Sequence, residues 1–441
     1  MSISSSMNAG VSGLNANSSK LATISDNIAN SQTNGYKRAG TDFASMTLSE
    51  SARGYTAGGV RTTAVRDVEA KGGFVGTNNP TDLAIAGRGM FPVTSIAPVA
   101  AGEPNYPLML APTGSFQPDA NGILRTPSGL VLLGWAADAA GQIAERPRDT
   151  AAALEPVAIN RASVAAQPTS FITLNANLPA AATLPNGDLD AVFPITVEYF
   201  NTLGASQSMA FTFSPVSDGG APAAPVPNTW QMVATNNANG DEVGRYEIVF
   251  DSTLGRAGTI LSVTPEPGSA PYDPATGTIA VQVAGGQEIE VRVGAEAGGT
   301  PQFLSQLSSV FSPVGVTKNG SPAGTFAGVT IDDLGYLSVN YSSGFSRVIY
   351  KIPVADVPNM NGLRALDNQS FALTQASGPV YFWDAGTGPV GSVMGFAQEQ
   401  STVDIARELT DLIQTQRAYS SNAKIVQTVD EMLQETTNLK R

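Results

Sequence analysis

Apolar residues in this chain recur every seven positions near its two ends and every two positions in between. Met7, Leu14, Leu21 and Ile28 lie seven apart, with Val11 and Ile24 beside them, placing a narrow apolar seam along one side of a helix. The positions around that seam are poor helix formers: residues 1–34 hold nine Ser and six Asn, with Gly10 and Gly13 near the start. A good seam on a weak helix forms when it meets a partner, so this segment is expected to order on assembly and to be disordered in a monomer. Toward the other end, Ile405, Leu409, Leu412, Tyr419, Ala423, Val426 and Leu433 follow three-four spacing, interrupted by Gln416 and Asp430. Asp404 and Glu408 near its start, and Lys440 and Arg441 at its end, suit the helix dipole. Alone, this segment reads as an amphipathic helix packed on its own domain. The matching seam at the other end points instead to a paired coil between subunits.

The middle of the chain alternates. Met209, Phe211 and Phe213, then Tyr246, Ile248 and Phe250, Ile279, Val281 and Val283, and Ile289, Val291 and Val293 each read as a strand with one apolar face. Segments 214–228 and 264–277, rich in Pro, Gly and Ala, read as loops or turns. Val329–Ile331 and Leu337–Tyr341 flank an Asp332–Gly335 turn and predict a hairpin. The fold class is therefore mostly β with α-helical coiled-coil termini, nested β domains being inserted between the N- and C-terminal helices. The expected divisions are a terminal helical core domain (1–37 with 400–441), a linker (38–72) rich in Gly, Thr and Ser, an inner β domain (73–155 with 317–399) and an inserted outer β domain (156–316).

Composition narrows the function. Charged residues make up 14% of the 441 positions, against about 25% in ordinary globular chains, and the net charge is −13. A nucleic-acid binder needs a basic footprint, which this chain lacks. Neither cysteine nor histidine is present, which excludes thiol nucleophiles, disulfides and Cys or His metal sites, and removes the commonest general base. Residues 1–10 lack the basic start and apolar run of a secretory signal, and the longest apolar stretch, near Leu130–Ala137, is too short to span a bilayer. No membrane insertion is expected.

Fragments of catalytic motifs occur without their contexts. Gly87-Arg88-Gly89 has no βαβ unit around it. Asp332 and Asp333 are adjacent and read as turn residues. Asp119-Ala120-Asn121-Gly122 and Asn239-Gly240-Asp241-Glu242 lack full calcium-loop spacing. We assign no catalytic, cofactor-binding or metal-binding residue.

Residues 22–38, ATISDNIANSQTNGYKR, resemble the N-terminal signature of the flagellar rod, hook and junction protein family through Asn27, Ile28, Ala29, Asn30, Thr33, Gly35, Tyr36 and Lys37. Residues 403–441 resemble the C-terminal signature of the same family at Glu408, Leu409, Gln416, Arg417, Ala418, Tyr419, Asn422, Ala423, Lys424, Asp430, Glu431 and Met432. Asn79–Ile85 with Gly87–Phe91, continued by Thr113–Phe116, resembles a segment common to hook and rod proteins, while the stretch GTFAGVTIDDLGYLSVNYSSGFSR at 324–347 is similar to a hook-type stretch and the inserted block 156–316 is not expected of a rod protein.

The resemblance implies a non-enzymatic subunit, without cofactor, that polymerises into a hollow, flexible helical tube acting as a universal joint between rod and filament. It implies inner-tube packing of the two terminal helices, with a polymerisation interface at Met7, Leu14, Leu21, Ile24, Ile28, Tyr36, Ile405, Leu409, Leu412, Tyr419, Val426 and Leu433. The implied partners are further copies of the chain, rod, hook-cap and hook–filament junction proteins, and the type III export apparatus. The implied location is the extracellular hook of the flagellum, reached without a cleaved signal peptide. Other readings are a distal rod or hook–filament junction protein, a secreted β-rich adhesin and, last, a carbohydrate-active enzyme.

Overall fold

Each of the four period-two runs buries its apolar members, while the residues between them are more exposed. Full burial of such a side chain contributes about 1.5–3 kcal/mol, so strands of this pattern are driven to pair two layers face to face. The computed structural model describes residues 3–47, 57–102, 106–138, 141–220, 223–283, 285–296 and 299–438. Lys440 and Arg441, expected to close the last helix, lie outside the described residues. The chain divides into two compact units, Met1–Arg161 with Gly328–Val339 and Arg347–Arg441, and Ala162–Ala327 with Asn340–Ser346.

The second unit holds the alternating runs. One sheet is a five-stranded antiparallel meander in chain order: Phe193–Phe200, Ser206–Ser217, Pro225–Asn236, Asp241–Phe250 and Ile260–Pro265. Its register sets Phe211 opposite Ala234, Phe213 opposite Met232 and Met232 opposite Tyr246. A second, mixed sheet runs Tyr272–Asp273, Thr278–Val283, Gln287–Arg292, Phe171–Pro179 and Leu304–Leu307, with Ser312–Lys318 also pairing with Phe171–Pro179. The inward residues of both sheets join in one core around Trp230, Tyr246, Phe211, Leu174, Ile289 and Val281.

One loop expectation is corrected here. Strands run to Ser217 and restart at Pro225, leaving a shorter connection than 214–228. The prolines suggested a loop, but Pro215 sits opposite Trp230 beside a register shift, where a missing N–H is tolerated.

The first unit carries both long helices, α1 (Ile3–Ala29) and α3 (Ile405–Asn438), and a short α2 (Ile96–Ala101). The segment 38–72, expected as a linker, contains a long antiparallel hairpin of β1 (Ala39–Thr47) and β2 (Ala57–Arg66). Beyond it, β3 (Phe74–Gly76) pairs with Ala397–Glu399, and β4 (Asp82–Ala86) lies between Ser392–Gly395 and Thr113–Ser115. β5 (Phe91–Ser95) joins Leu130–Ala136 and Met109–Ala111. Residues 329–331 and 336–339 form the expected hairpin, its turn closed by Asp332 accepting from the Leu334 and Tyr336 amides. Met90, Leu110, Trp135, Phe371 and Phe382 fill the core of this β body.

Candidate assembly surface of the terminal helices

The signature at the end of α1 is a chain-reversal device. The Asn27 side chain is buried and bonds Ala39 in both directions, Nδ2 donating to the Ala39 carbonyl (2.8 Å) while Oδ1 accepts from its amide (2.9 Å). Tyr36 donates its hydroxyl to Asp26 (2.8 Å) and Asn27 (3.1 Å), and the Arg66 guanidinium lies 5.2 Å over its ring. Burial, reinforced by the Asp26 carboxylate, holds the Tyr36 hydroxyl protonated well above the ordinary tyrosine range. Gly35 sits between them at φ 73°, the left-handed region that glycine adopts without strain. A Cβ there would also fall 2.8 Å from the Thr113 methyl.

Lys37 and Arg38 then diverge to separate carboxylates. Lys37 is fully buried and donates to Glu399 Oε1 (2.7 Å) and to the Ala70 carbonyl (2.6 Å). The Gly72 amide shares that oxygen at 2.9 Å, while Glu399 Oε2 lies 3.8 Å from Lys71 Nζ and has no hydrogen bond. Burial pushes the Lys71 amine down to about 8, against the opposing pull of Glu399. Arg38 donates through Nε to Glu408 Oε1 at 2.5 Å and approaches Asp411 at 3.5 Å. The α3 terminus is capped by Asp404, whose Oδ1 accepts from the Ala406 and Arg407 amides. Glu408, read from sequence as a dipole partner, is instead a buried ion-pair member.

Above this neck, α1 packs against α3 on one side and against the hairpin on another. Thr23 and Thr41 hydroxyls meet at 3.0 Å, Lys20 lies 5.9 Å over the Phe43 ring, and the Val60 amide donates to Ser12 Oγ at 3.2 Å. Gly59, at φ 85°, permits that approach. The residues α1 buries are mainly small or polar: Ser5, Gly10, Gly13, Ala16 and Asn27, with Ile24. Those of α3 are Glu408, Thr415 and Val429, seven apart with Asn422 half-buried in the same row.

The apolar heptads are placed differently. Of the residues expected at the interface, Ile24 and Tyr36 are buried within the chain; Leu14, Leu21, Ile28, Leu412 and Val426 are half-buried. Met7 (38%), Ile405 (42%), Leu409 (47%), Tyr419 (41%) and Leu433 (38%) are exposed, and so are Ile413, Ile425 and Met432, which the seven-residue pattern missed. Leu14, Leu21 and Ile28 thus do not close fully against Ile405, Leu409 and Leu433 of the same chain. The sequence shows neither ion pair, Lys37 with Glu399 or Arg38 with Glu408, since Glu399 belongs to no legible motif and Glu408 reads there as a dipole partner.

The motif fragments serve structure. Arg88 binds Asp356 (2.8 Å) and Glu69 (2.9 Å), and Asp119 accepts from the Asn121 and Ile123 amides in a turn. Among the described residues no group of three or more acidic, His or Cys side chains is placed to hold a metal, and no helix is long and apolar enough to cross a membrane.

Two family models match, and both fall on this helical pair and neck. "Flagella basal body rod protein" covers 7–37, and "Flagellar basal body rod FlgEFG protein C-terminal" covers 395–439. The flagellar hook protein FlgE of Brucella suis is 32% identical over 444 residues, spanning all of both chains. The chain belongs to the flagellar hook protein family. Other hook proteins are similar along their length: that of Caulobacter vibrioides is 28% identical over 602 residues covering all of both chains, and that of Escherichia coli 26% over 98% of each. A crystal structure of Helicobacter pylori hook protein FlgE2 has a TM-score of 0.48 at 12% identity, covering 72% of this chain and 98% of that one. In this hook protein the matched segments are those that carry Asn27, Tyr36, Lys37, Glu399 and the exposed apolar rows of α3.

Proposed function

We propose that this chain is the structural subunit of a flagellar hook, polymerising with copies of itself into a hollow, flexible tube that passes torque from rod to filament. One observation carries the reading: a single chain leaves Met7, Ile405, Leu409, Tyr419 and Leu433 exposed and Leu14, Leu21, Ile28, Leu412 and Val426 only half-covered, while burying small and polar residues of both helices. A second copy supplies the matching apolar surface, and contacts that do not close into a ring extend into a helix. The polymerisation interface is assigned to Met7, Leu14, Leu21, Ile28, Ile405, Leu409, Leu412, Tyr419, Val426 and Leu433, with Ile24 and Tyr36 supporting it from within the chain. The function requires no catalytic group or cofactor. Rod, cap and junction proteins and the type III export apparatus are the partners proposed, and the extracellular hook is the location.

Bending requires some contacts to hold while others slide. The helices hold; the β surfaces of neighbouring copies slide, being largely polar and small-residue, although Leu203, Leu254, Val310 and Val314 are exposed on them. Cross-links between β surfaces of adjacent copies should stiffen the tube, and unchanged bending stiffness would refute the sliding role. The primary test is negative-stain electron microscopy of the full chain beside one lacking 401–441. Curved tubes from the first and none from the second are expected; equal polymers from both would overturn the assignment to the helices.

A further inference from the structure

Gly10 and Gly13 are the only glycines in α1, and helix formation disfavours both. Neither has a positive φ, so the backbone does not require glycine there. Their surroundings give another reason. A Cβ at Gly13 would lie 2.8 Å from Asn422 Nδ2, 3.0 Å from its Cγ and 3.1 Å from its Oδ1, and one at Gly10 would meet a Val426 methyl at 3.0 Å. The Asn422 amide is thus laid across a bare stretch of α1 backbone. The same turn is held from another side by the Val60 amide on Ser12.

We infer that Gly13, with Gly10, and Asn422 form a register key, in which Asn422 seated over Gly13 fixes the axial and rotational setting of α1 on α3. That setting decides which apolar heptads are offered to the next copy. Sliding α1 by one turn brings Ala9, Gly10, Ala16 or Asn17 toward Asn422, and the setting that seats Gly10 there carries Ser6 or Met7 into the place beside Val426 that Gly10 now fills; sliding by two brings Ser6 or Lys20 toward Asn422. No other pair of positions in α1 offers two glycines three apart. The Asn row Glu408, Thr415, Asn422, Val429 is the inward row of α3, and a polar side chain in such a row commonly specifies register at some expense of stability. The key rests on the polymerisation reading above and adds to it which residues set the geometry.

Helix propensity and the key predict opposite signs. Propensity alone makes Gly13→Ala or Gly13→Leu strengthen α1. The key makes Gly13→Leu raise the critical concentration for polymerisation by about tenfold or more, with Gly13→Ala between it and the wild type. Asn422→Ala combined with Gly13→Ala opens the space again and should return polymerisation close to that of Asn422→Ala alone. The single chain already forms α1 and packs it on α3, against the expectation that it orders only on assembly, so amide exchange of α1 in the monomer reads the key without any polymer. Protection should fall in Gly13→Leu, fall less in Gly13→Ala, and recover from the Gly13→Ala level in the double variant. Polymerisation of Gly13→Leu equal to or better than wild type, or a double variant no better than Gly13→Ala, would overturn the key. If the wild-type chain forms no tube, the polymerisation reading fails, while the exchange comparison still decides the key.

Discussion

The β-sandwich of the second unit and the helix pair of the first are built from opposite uses of the same apolar residues. In the sandwich, Phe211, Trp230, Tyr246 and Ile289 face each other and are buried within one chain. In the helix pair, Gly13, Ala16, Thr415 and Asn422 occupy the shared face, while Ile405, Leu409, Ile413 and Leu433 look outward. Apolar side chains settle where most area leaves water, so the contrast separates an element whose core is closed by its own chain from one that, on the proposed function, neighbouring copies complete.

The sharpest way to break that contrast is to damage the self-contained side. Phe211→Ala or Trp230→Ala should destabilise the sandwich by about 3–5 kcal/mol, seen as a lowered urea midpoint in the monomer. A loss below about 1 kcal/mol would mean the core is not closed in the single chain. The neck comes next: Lys37→Met leaves the fully buried Glu399 with only the more distant Lys71, 3.8 Å from its other oxygen, and should destabilise the first unit by about 3 kcal/mol. Lys37→Met with Glu399→Leu, which removes both charges, should recover most of that loss in thermal melts.

Leu14→Ser with Leu409→Ser should move monomer stability by only about 1 kcal/mol, because neither side chain is buried in the chain. The same pair should raise the critical concentration about tenfold or more by light scattering. Equal effects on monomer and polymer would erase the distinction between the two regions.

A weaker probe is pH. The Lys71 amine falls from 10.5 to about 8 in the folded chain, so between these values the unfolded chain binds more protons. Stability from this group therefore rises with pH across that window, and Lys71→Met should flatten the slope of urea midpoint between pH 8 and 10. The smallest effect belongs to the sandwich surface. Arg245→Ala breaks a half-exposed 2.8 Å pair with Glu242 and should cost about 1 kcal/mol or less in a melt at low salt.

The strands of the sandwich were legible because every inward position in each run is apolar and every run is bounded by turn residues. Pro215 and Pro225 hid the strand ends, since the register shift that accommodates them has no sequence mark. Both helices could be read from their heptads, but not the faces they share. Gly13, Thr415 and Asn422 carry no hydrophobic signal, so a pattern search follows Leu14 and Leu409 instead. The β1–β2 hairpin escaped for a related reason: Gly40, Thr41, Ser45, Gly59, Thr62 and Thr63 give it little alternation, and it is held by pairing and by α1. Tyr36 and Lys37 stood in a recognisable motif, whereas their partner Glu399 stood in none.

Glu399 sits where three passes of the chain run side by side. Its carbonyl takes the Gly35 amide, its carboxylate takes Lys37 and the Gly72 amide, and the next residues bond Gly73 and Tyr36. The helices therefore hang from the β body on a three-stranded tether with crossbars. A pull on either helix is divided among the strands, and a single break in the hairpin between them leaves both helices attached. Redundancy of that kind is a fault tolerance, useful in a structural subunit of a flagellar hook that turns under load.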